Sequence, residues 1–328
     1  MAMKYDVLGI GNAIVDVLTN VDDNFISENN LEKGSMMLLS DVEASNLYDK
    51  LGQCIECSGG SAANTIAGLA SMGSNTAYIG KIRNDQMGRV FQHDIRSMGT
   101  IFDTEPSDAG PATAHCLVMV TPDAERTMCT YLGACVNLKE SDIDQKIVEA
   151  SSITYLEGYI WDPDAAKKAF RKAIEIAHNA GNKVALSLSD PFCVSRHHDE
   201  FLQLVQNDID ILFANEDEIK MLYGTEDVNE AALLLQKDCD IGAITCGARG
   251  CIVTSADEIG HVQGRQVEKL VDTTGAGDMF AAGFMQALTV GRSVGEAGAL
   301  GNLVASEIVT HMGARPDIDL KRFIIDNA

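Results

Sequence analysis

Along this chain, short continuous apolar runs alternate with longer stretches in which apolar residues recur at helical spacing. Residues 5–12 form the first run, closing on the glycine turn Gly9-Ile10-Gly11-Asn12. A second strand-like run follows at 13–21, then a short strand at 36–39, after which Ser40 and Asp41 cap a helix reaching Leu51. Ala62, Ala63, Ile66, Ala67, Leu69 and Ala70 keep helical spacing until Gly73 ends it. A strand at 77–80 and a helix at 85–98 come next. Residues 113–121 and 126–132 are β-rich and joined by Pro122-Asp123-Ala124-Glu125, a hairpin signal.

From residue 153 the rhythm is regular. A strand at 153–156 leads to Asp162 as an N-cap and Pro163 at the first helical position, with a helix to Asn179 whose solvated face carries Lys167, Lys168, Arg171 and Lys172. Strands follow at 184–188, 209–213, 240–245, 251–254 and 259–262, with a helix starting at Ala214-Asn215-Glu216-Asp217-Glu218. Two apolar helices close the chain, one behind Gly277 and one from Ser293 to His311. Alternation of this kind predicts a doubly wound, mostly parallel central sheet with helices on both faces. The β-rich segments outside the rhythm predict a small β-sheet lid, from about residues 13–39 and 101–134, inserted in a single domain spanning 1–328.

Composition narrows the function. The formal net charge of −23 over 328 residues argues against nucleic acid and against anionic membrane surfaces as partners. No apolar run reaches spanning length, and Met1-Ala2-Met3-Lys4-Tyr5-Asp6 is no signal peptide. The nine cysteines are scattered and odd in number, and Cys54-Ile55-Glu56-Cys57 has no second ligand pair for zinc. Reduced thiols imply a cytoplasmic protein. The seven histidines show no metal-ligand pair at helical spacing, and His197-His198 reads as an exposed loop. No Gly-x-x-x-x-Gly-Lys is present, and the dinucleotide pattern begun by Gly9 and Gly11 fails at Ile14.

The chemistry gathers in two glycine-led helices. Asp272-Thr273-Thr274-Gly275-Ala276-Gly277-Asp278 opens the helix carrying Met279, Phe280, Phe284 and Met285. Free N–H groups of a first helical turn, with the helix dipole, make an anion site. The amides of Gly275, Ala276 and Gly277 would face a phosphate while Asp278 takes a proton from a hydroxyl, which is the equipment of phosphoryl transfer. In so acidic a chain, backbone dipoles, a divalent cation and a few placed arginines must supply the positive potential. In Ser58-Gly59-Gly60-Ser61-Ala62-Ala63-Asn64 the paired glycines let a ligand approach the backbone, and Asn64 can donate to and accept from a hydroxyl. The same stretch also reads as an alanine-rich helix packed tightly on a sheet.

These two stretches resemble the signatures of the ribokinase-like sugar and nucleoside kinases, and supporting similarities run from Asp16 to Pro316. The resemblance implies an ATP-dependent kinase, using Mg2+, that transfers the γ-phosphoryl group to a primary hydroxyl of a sugar or nucleoside. It implies Asp278 as the base, Asp16, Gly59, Gly60 and Asn64 on the acceptor's hydroxyls, and Arg126 on the phosphates. Ala124 stands where relatives often have Gly, and Gly80, Asp85 and Gly88 keep the family spacing. Asn215 and Glu218 fall on the pair that organises magnesium and its waters, an oxygen-only arrangement suited to that ion. Thr245, Gly247 and Gly250 match the turn beside the nucleotide, and Asn302 a position near the adenine. Asp272, Thr274 and the tail Gly313-Ala314-Arg315-Pro316 match a site for a monovalent cation such as K+. Ser187-Leu188-Ser189-Asp190-Pro191-Phe192 is similar to the adenosine-kinase version, which favours the 5′-hydroxyl of adenosine as acceptor, with Phe192 either a pocket wall or core. Glu157 stands where ribokinases carry a sugar-contacting Glu, which keeps a ribokinase- or fructokinase-type free-sugar kinase open. A catalytically idle sugar- or nucleotide-binding regulator is the reading from another class. The lid implies a monomer or a homodimer joined through it.

Overall fold

The computed structural model describes residues 4–123 and 125–327. Met1, Ala2, Met3, Ala124 (in the stretch expected to form the hairpin turn) and Ala328 lie outside the described residues. In chain order the first elements are β1 (Tyr5–Ile10), β2 (Ile14–Asn20), α1 (Asp23–Glu28), β3 (Met36–Leu38), α2 (Asp41–Tyr48), β4 (Ile55–Gly59), α3 (Ser61–Ser71), β5 (Thr76–Ile79) and α4 (Gln86–Ser97). There follow β6 (Ala114–Val120), β7 (Arg126–Tyr131), α5 (Gln145–Glu149), β8 (Ser151–Glu157), α6 (Asp164–Asn179), β9 (Lys183–Ser187), α7 (Pro191–Asn207), β10 (Ile211–Asn215) and α8 (Glu216–Tyr223). The last are α9 (Val228–Asp238), β11 (Ile241–Thr245), β12 (Gly250–Ser255), β13 (Ile259–Gln263), α10 (Ala276–Thr289), α11 (Val294–Ile308) and α12 (Leu320–Asn327).

Strands β13-β12-β11-β10-β9-β8-β1-β5 form an eight-stranded sheet. It is parallel from β5 to β11 and antiparallel at β12 and β13. Period-2 alternation splits each parallel strand between two cores. On β8, Ile153 and Tyr155 pack with α3, α10 and α11 through Ile66, Phe280, Phe284 and Val304. Leu156 faces the other way, toward Phe170 of α6, Phe201 of α7 and Leu235 of α9. The expected doubly wound, mostly parallel architecture is the one observed. Strand order reverses at β1, which has β5 on one side and β8 on the other. Ligands of open α/β sheets bind at such a switch point, outside the carboxyl ends of the strands.

A second sheet of five strands runs β3-β7-β6-β2-β4. Four of its strands fall within residues 13–39 and 101–134, and β4 comes from outside both. Its register aligns Ile55, Leu18, Val118, Met128 and Met36 in one row across the sheet, and Cys57, Asp16, Cys116, Thr130 and Leu38 in the next row of the same face. Asp16 is therefore the one carboxylate among these ten residues, which are mostly apolar.

Three local expectations give way. Asp162 does not cap α6, whose N-cap is Pro163; its carboxylate instead bonds Arg196 at 2.9 Å and His197 at 2.6 Å. His197 and His198 accordingly lie within α7, at a kink centred on His197, and not in a loop. Lys167 and Arg171 are more than a solvated face: both lie over the buried Trp161 ring, and Lys167 pairs with Glu200 at 2.7 Å. β4, α9 and α12 go beyond what the pattern predicts, and α11 stops at Ile308, short of His311.

Candidate active site

At the switch point the ends of β1 and β8 meet. Asn12, just past β1, donates from Nδ2 to Glu157 Oε1 at 2.7 Å and from its backbone N–H to Oε2 at 3.3 Å. Glu157 ends β8, is 1% exposed, and also accepts from the Ala62 N–H at 2.9 Å. Gly60, the N-cap of α3, has no side chain to offer, so the Glu157 carboxylate takes over the capping of that helix. Burial pushes its carboxyl up to about 7, against the hydrogen bonds from Ala62 and Asn12. Glu157 thus joins β1, β8 and α3.

Asp16 of β2 reaches over β4 and lies against Gly59, where any Cβ would collide with its carboxylate. Close approach is what requires glycine there. Burial raises the Asp16 carboxyl to about 6, with Arg315 and Arg126 opposing.

Asp278 lies in the first turn of α10, facing α3. Its Oδ1 accepts from the Ser61 hydroxyl at 2.6 Å and its Oδ2 from the Asn64 amide at 3.2 Å. Burial raises its carboxyl to about 6 in spite of these two bonds and of Arg315. The result is a stronger base than an exposed aspartate, oriented by two donors. Gly275 is the N-cap of α10 in the left-handed region, φ 78°. The Ala276 N–H turns back to Thr273 O at 3.2 Å, so the expected trio of facing amides is altered. From Gly275 to Asp278, the amides of Gly275, Gly277 and Asp278 have no backbone partner among the described residues. A Cβ on Gly277 would meet nothing within 4 Å, so the space beside Gly277, in the same turn as these amides, is open. The two glycine-capped helices therefore differ: α3 has its N-terminus served by Glu157, and α10 presents its N-terminus outward.

Arg126, at the start of β7, is no solvated charge. It donates from Nη1 to Thr274 Oγ1 at 3.0 Å and pairs through Nη2 with Asp272. Asp272 also accepts from Thr274 N at 3.0 Å, from the Thr274 hydroxyl at 2.8 Å and from Gly313 N at 2.9 Å. With both oxygens committed and a guanidinium already present, Asp272 and Thr274 do not fit an added monovalent cation while Arg126 is in place.

Along the same sheet edge, Asn215 at the end of β10 is the register partner of Thr245 at the end of β11. Asn215 and Glu218 form a reciprocal capping box at the start of α8: Asn215 donates from N and Nδ2 to the carboxylate at 2.9 and 2.6 Å and accepts from Glu218 N at 2.9 Å. Glu218 is 4% exposed and burial raises its carboxyl to about 7. Its carboxylate accepts two N–H bonds and keeps lone pairs for waters, which fits outer-sphere Mg2+. The Thr245 hydroxyl lies 3.5 Å from Ala214 O, and Gly247 and Gly250 take φ of 58° and 98° in the turn that follows. Asn302 commits its amide to the carbonyls of Val262 and Gln263, at 3.2 and 3.1 Å, bracing the end of β13.

Phe192 is not core: it is 65% exposed near the start of α7, and the Arg196 guanidinium covers its ring at 4.2 Å. The sequence reading missed Asn12, Ser61 and the acceptor-side contacts of Arg315. It missed as well that Glu307, His311 and Asp317 bring ligand atoms within 4.8 Å of one another, a histidine–carboxylate pair at helical spacing included.

Residues 36–321 match the pfkB family carbohydrate kinase profile. The adenosine kinase from Sinorhizobium meliloti shares 47% identity and a TM-score of 0.92, covering 99% of this chain and all (100%) of that one. A probable sugar kinase from Rhizobium etli CFN 42 shares 42% identity and a TM-score of 0.92, over 99% and 98% of the two chains. The adenosine kinase of Schizosaccharomyces pombe is 25% identical over 98% of each chain, and the probable fructokinase-6 of Arabidopsis thaliana is 30% identical over 70% of this chain and 62% of that one.

Proposed function

The chain belongs to the pfkB family of carbohydrate kinases, and from that premise we propose that it phosphorylates the 5′-hydroxyl of adenosine or a related nucleoside with ATP. It is a phosphotransferase acting on an alcohol group, in a family that uses ATP and Mg2+ generally. The observation that carries the mechanism is the contrast between the two helix N-termini: α3 is capped by Glu157, and α10 offers open amides beside a carboxylate of raised pKa.

Asp278, oriented by Ser61 and Asn64, accepts the hydroxyl proton as the acceptor oxygen attacks. The amides of Gly275 and Gly277, and that of Ala276 once it leaves Thr273 O, stabilise charge on the transferring group. Glu218 and Asn215 would hold the waters of a bound Mg2+, which would supply positive charge against the phosphates. Arg126 brings a cation from the small sheet to the same loop and serves the phosphates from there. Thr245, Gly247 and Gly250 border the nucleotide, with Asn302 setting the strand end beside it. Asp16 and Asn64 hold the acceptor's secondary hydroxyls. The small sheet acts as a lid that keeps water from the reacting phosphate.

Three observations favour a nucleoside over a free sugar. The 47% identical relative is an adenosine kinase. Glu157, the residue that would read a free sugar, is spent on Asn12 and Ala62. The exposed Phe192 ring is available to stack on a base. Met36, Leu38 and Ile55 stand exposed on the small sheet, which supports its use as a lid or as the contact between copies in a homodimer; light scattering decides between monomer and dimer. Nine free cysteines support a reducing, cytoplasmic setting. The test is ADP release across adenosine, other nucleosides, ribose and fructose, with 31P NMR of the product. Turnover of ribose or fructose without adenosine overturns the acceptor, and no ADP release with any of them favours the idle binder.

A further inference from the structure

Arg315 lies in the loop after α11, its side chain 14% exposed. Its guanidinium joins groups from three other elements. Nε donates to Asn64 Oδ1 of α3 at 3.0 Å. Nη1 donates to the Ser58 hydroxyl of β4 and lies 3.4 Å from Asp94 Oδ2 of α4. Asp94 in turn accepts from the Ser58 N–H at 2.8 Å. The remaining Nη2 is buried and has no partner among the described residues.

We propose that Arg315 is a positioning residue of the acceptor site: it fixes the Asn64 amide that serves Asp278 and sets its charge against the carboxylates of Asp16 and Asp278. This rests on Asp278 being the base. The orientation follows from chemistry. Arginine only donates and an ionised carboxylate only accepts, so Asn64 must turn Oδ1 to Arg315 and Nδ2 to Asp278. Without Arg315 the amide is free to rotate away, and Asp278 loses one of its two donors. The electrostatics point the same way. Asp278 faces the negative groups Asp16 and Glu157 and the phenols of Tyr155 and Tyr159, while Asp16 faces Asp278 and the thiols of Cys57 and Cys116. The cation opposing burial at Asp278 is Arg315, and at Asp16 it is Arg315 with Arg126. Asp94 and Ser58 hold the guanidinium in that place.

The experiment compares pH–rate profiles, from about pH 5 to 9, of wild type, Arg315→Met, Arg315→Lys and Asp94→Asn, with adenosine as acceptor. Thermal melts and ATP binding serve as folding controls. Removing a nearby positive charge raises a carboxyl pKa, so the acid limb of kcat/KM in Arg315→Met moves up by about one unit. That is roughly a tenfold loss on the acid limb which closes again toward pH 9. Arg315→Lys keeps the charge, so its limb stays at the wild-type pH, and Asp94→Asn keeps the cation while removing an opposing negative charge, so its limb does not move up; in both, the acceptor KM rises several-fold. An unshifted limb in Arg315→Met, or the same loss at every pH, overturns the proposal. Should Arg315→Met not fold, Arg315→Lys decides: a raised acceptor KM supports the role and an unchanged one overturns it. A wild type that transfers no phosphoryl group refutes the base reading itself, whereas an active wild type with unshifted variants refutes only the role of Arg315.

Discussion

Gly275 and Gly277 are two residues apart, yet substitution should fail for opposite reasons. At Gly275 the backbone is left-handed, and a Cβ would come within 2.7 Å of the Ala314 Cα and 2.8 Å of its carbonyl oxygen. The left-handed conformation alone costs an alanine about 1–2 kcal/mol. The clash is with backbone, which cannot step aside as a flexible side chain would, so Gly275→Ala should lose at least that much. For a chain of this size each kcal/mol moves the melting temperature by roughly 2–4 °C, which puts the expected fall at about 3 °C or more. At Gly277 a Cβ meets nothing within 4 Å, and the position lies in the first turn of α10. Alanine is a better helix former than glycine by up to about 1 kcal/mol, so Gly277→Ala should melt at or slightly above the wild-type temperature. Activity separates them further. Valine at 277 places a branched side chain in the open space beside Gly277, in the same turn as the Gly275, Gly277 and Asp278 amides, so Gly277→Val should keep its fold and acceptor binding while turnover falls at least about tenfold, the loss expected when oxyanion-type donors are obstructed. Scanning calorimetry and steady-state kinetics on the three variants give the answer. A Gly277→Val protein that melts several degrees low, or that loses acceptor affinity and turnover equally, refutes the open-amide reading and makes the loop purely structural.

Further outcomes follow from the same geometry. Asp278→Asn should bind ATP like wild type and lose about 10²–10⁴ in turnover, the usual loss of a general base; a variant with a third of wild-type turnover would remove Asp278 from that role. Because Asp278 titrates at about 6 and must be ionised to accept a proton, wild-type kcat/KM should fall as pH drops below about 6, and a profile flat to pH 5 contradicts it. Glu157 titrates at about 7 in the fold against an ordinary 4.5, so the folded state holds its proton more tightly. Its contribution is fully present below about pH 4.5 and lost as pH rises through about 7, by up to about 3 kcal/mol; the melting temperature should fall between about pH 4.5 and 7.5 and level off above, and Glu157→Gln should flatten that slope, an unchanged slope assigning it elsewhere. Phe192→Ala should raise the adenosine KM about tenfold, in line with 1–3 kcal/mol per stacked base, and leave the melting temperature alone because the ring is exposed; an unaltered KM takes Phe192 out of the acceptor site.

The readable part of this site is the part encoded by short spacing. The doubly wound sheet follows from alternation of runs, and both glycine-led helices announce themselves within a dozen residues. The Asn215–Glu218 capping box is likewise local, three residues apart. Asn12, Ser61 and Arg315 were not legible as site residues because their partners are 145, 217 and 251 residues away. Only the fold brings β1 beside β8, or α3 beside α10. Arg126 shows the same limit from the other side. A lone arginine after a hairpin turn reads as solvated, and its pairing with Asp272 and Thr274 depends on the small sheet folding back over a loop 148 residues later. Asp162 failed for a local reason: the sequence Asp-Pro is a fair N-cap, but Arg196 and His197 from α7 compete for the same carboxylate and win.

The distribution of charge also explains how so acidic a chain can accommodate a polyanion. A net charge of −23 would repel ATP if spread evenly over the surface. Close to the site the carboxylates are instead answered one by one. Asp272 is met by Arg126, Asp94 by Arg315, and Glu157 by the N-terminus of α3. Asp16 and Asp278 carry carboxyls raised to about 6, so each holds its charge less firmly than a surface aspartate. What faces outward is then the open turn of α10, whose partial positive charge is fixed in the backbone and needs no reorganisation when phosphate arrives. In the proposed mechanism, phosphate attraction at this site is a property of peptide geometry more than of basic side chains, and it should survive changes of surface charge that leave Gly275 and Gly277 in place.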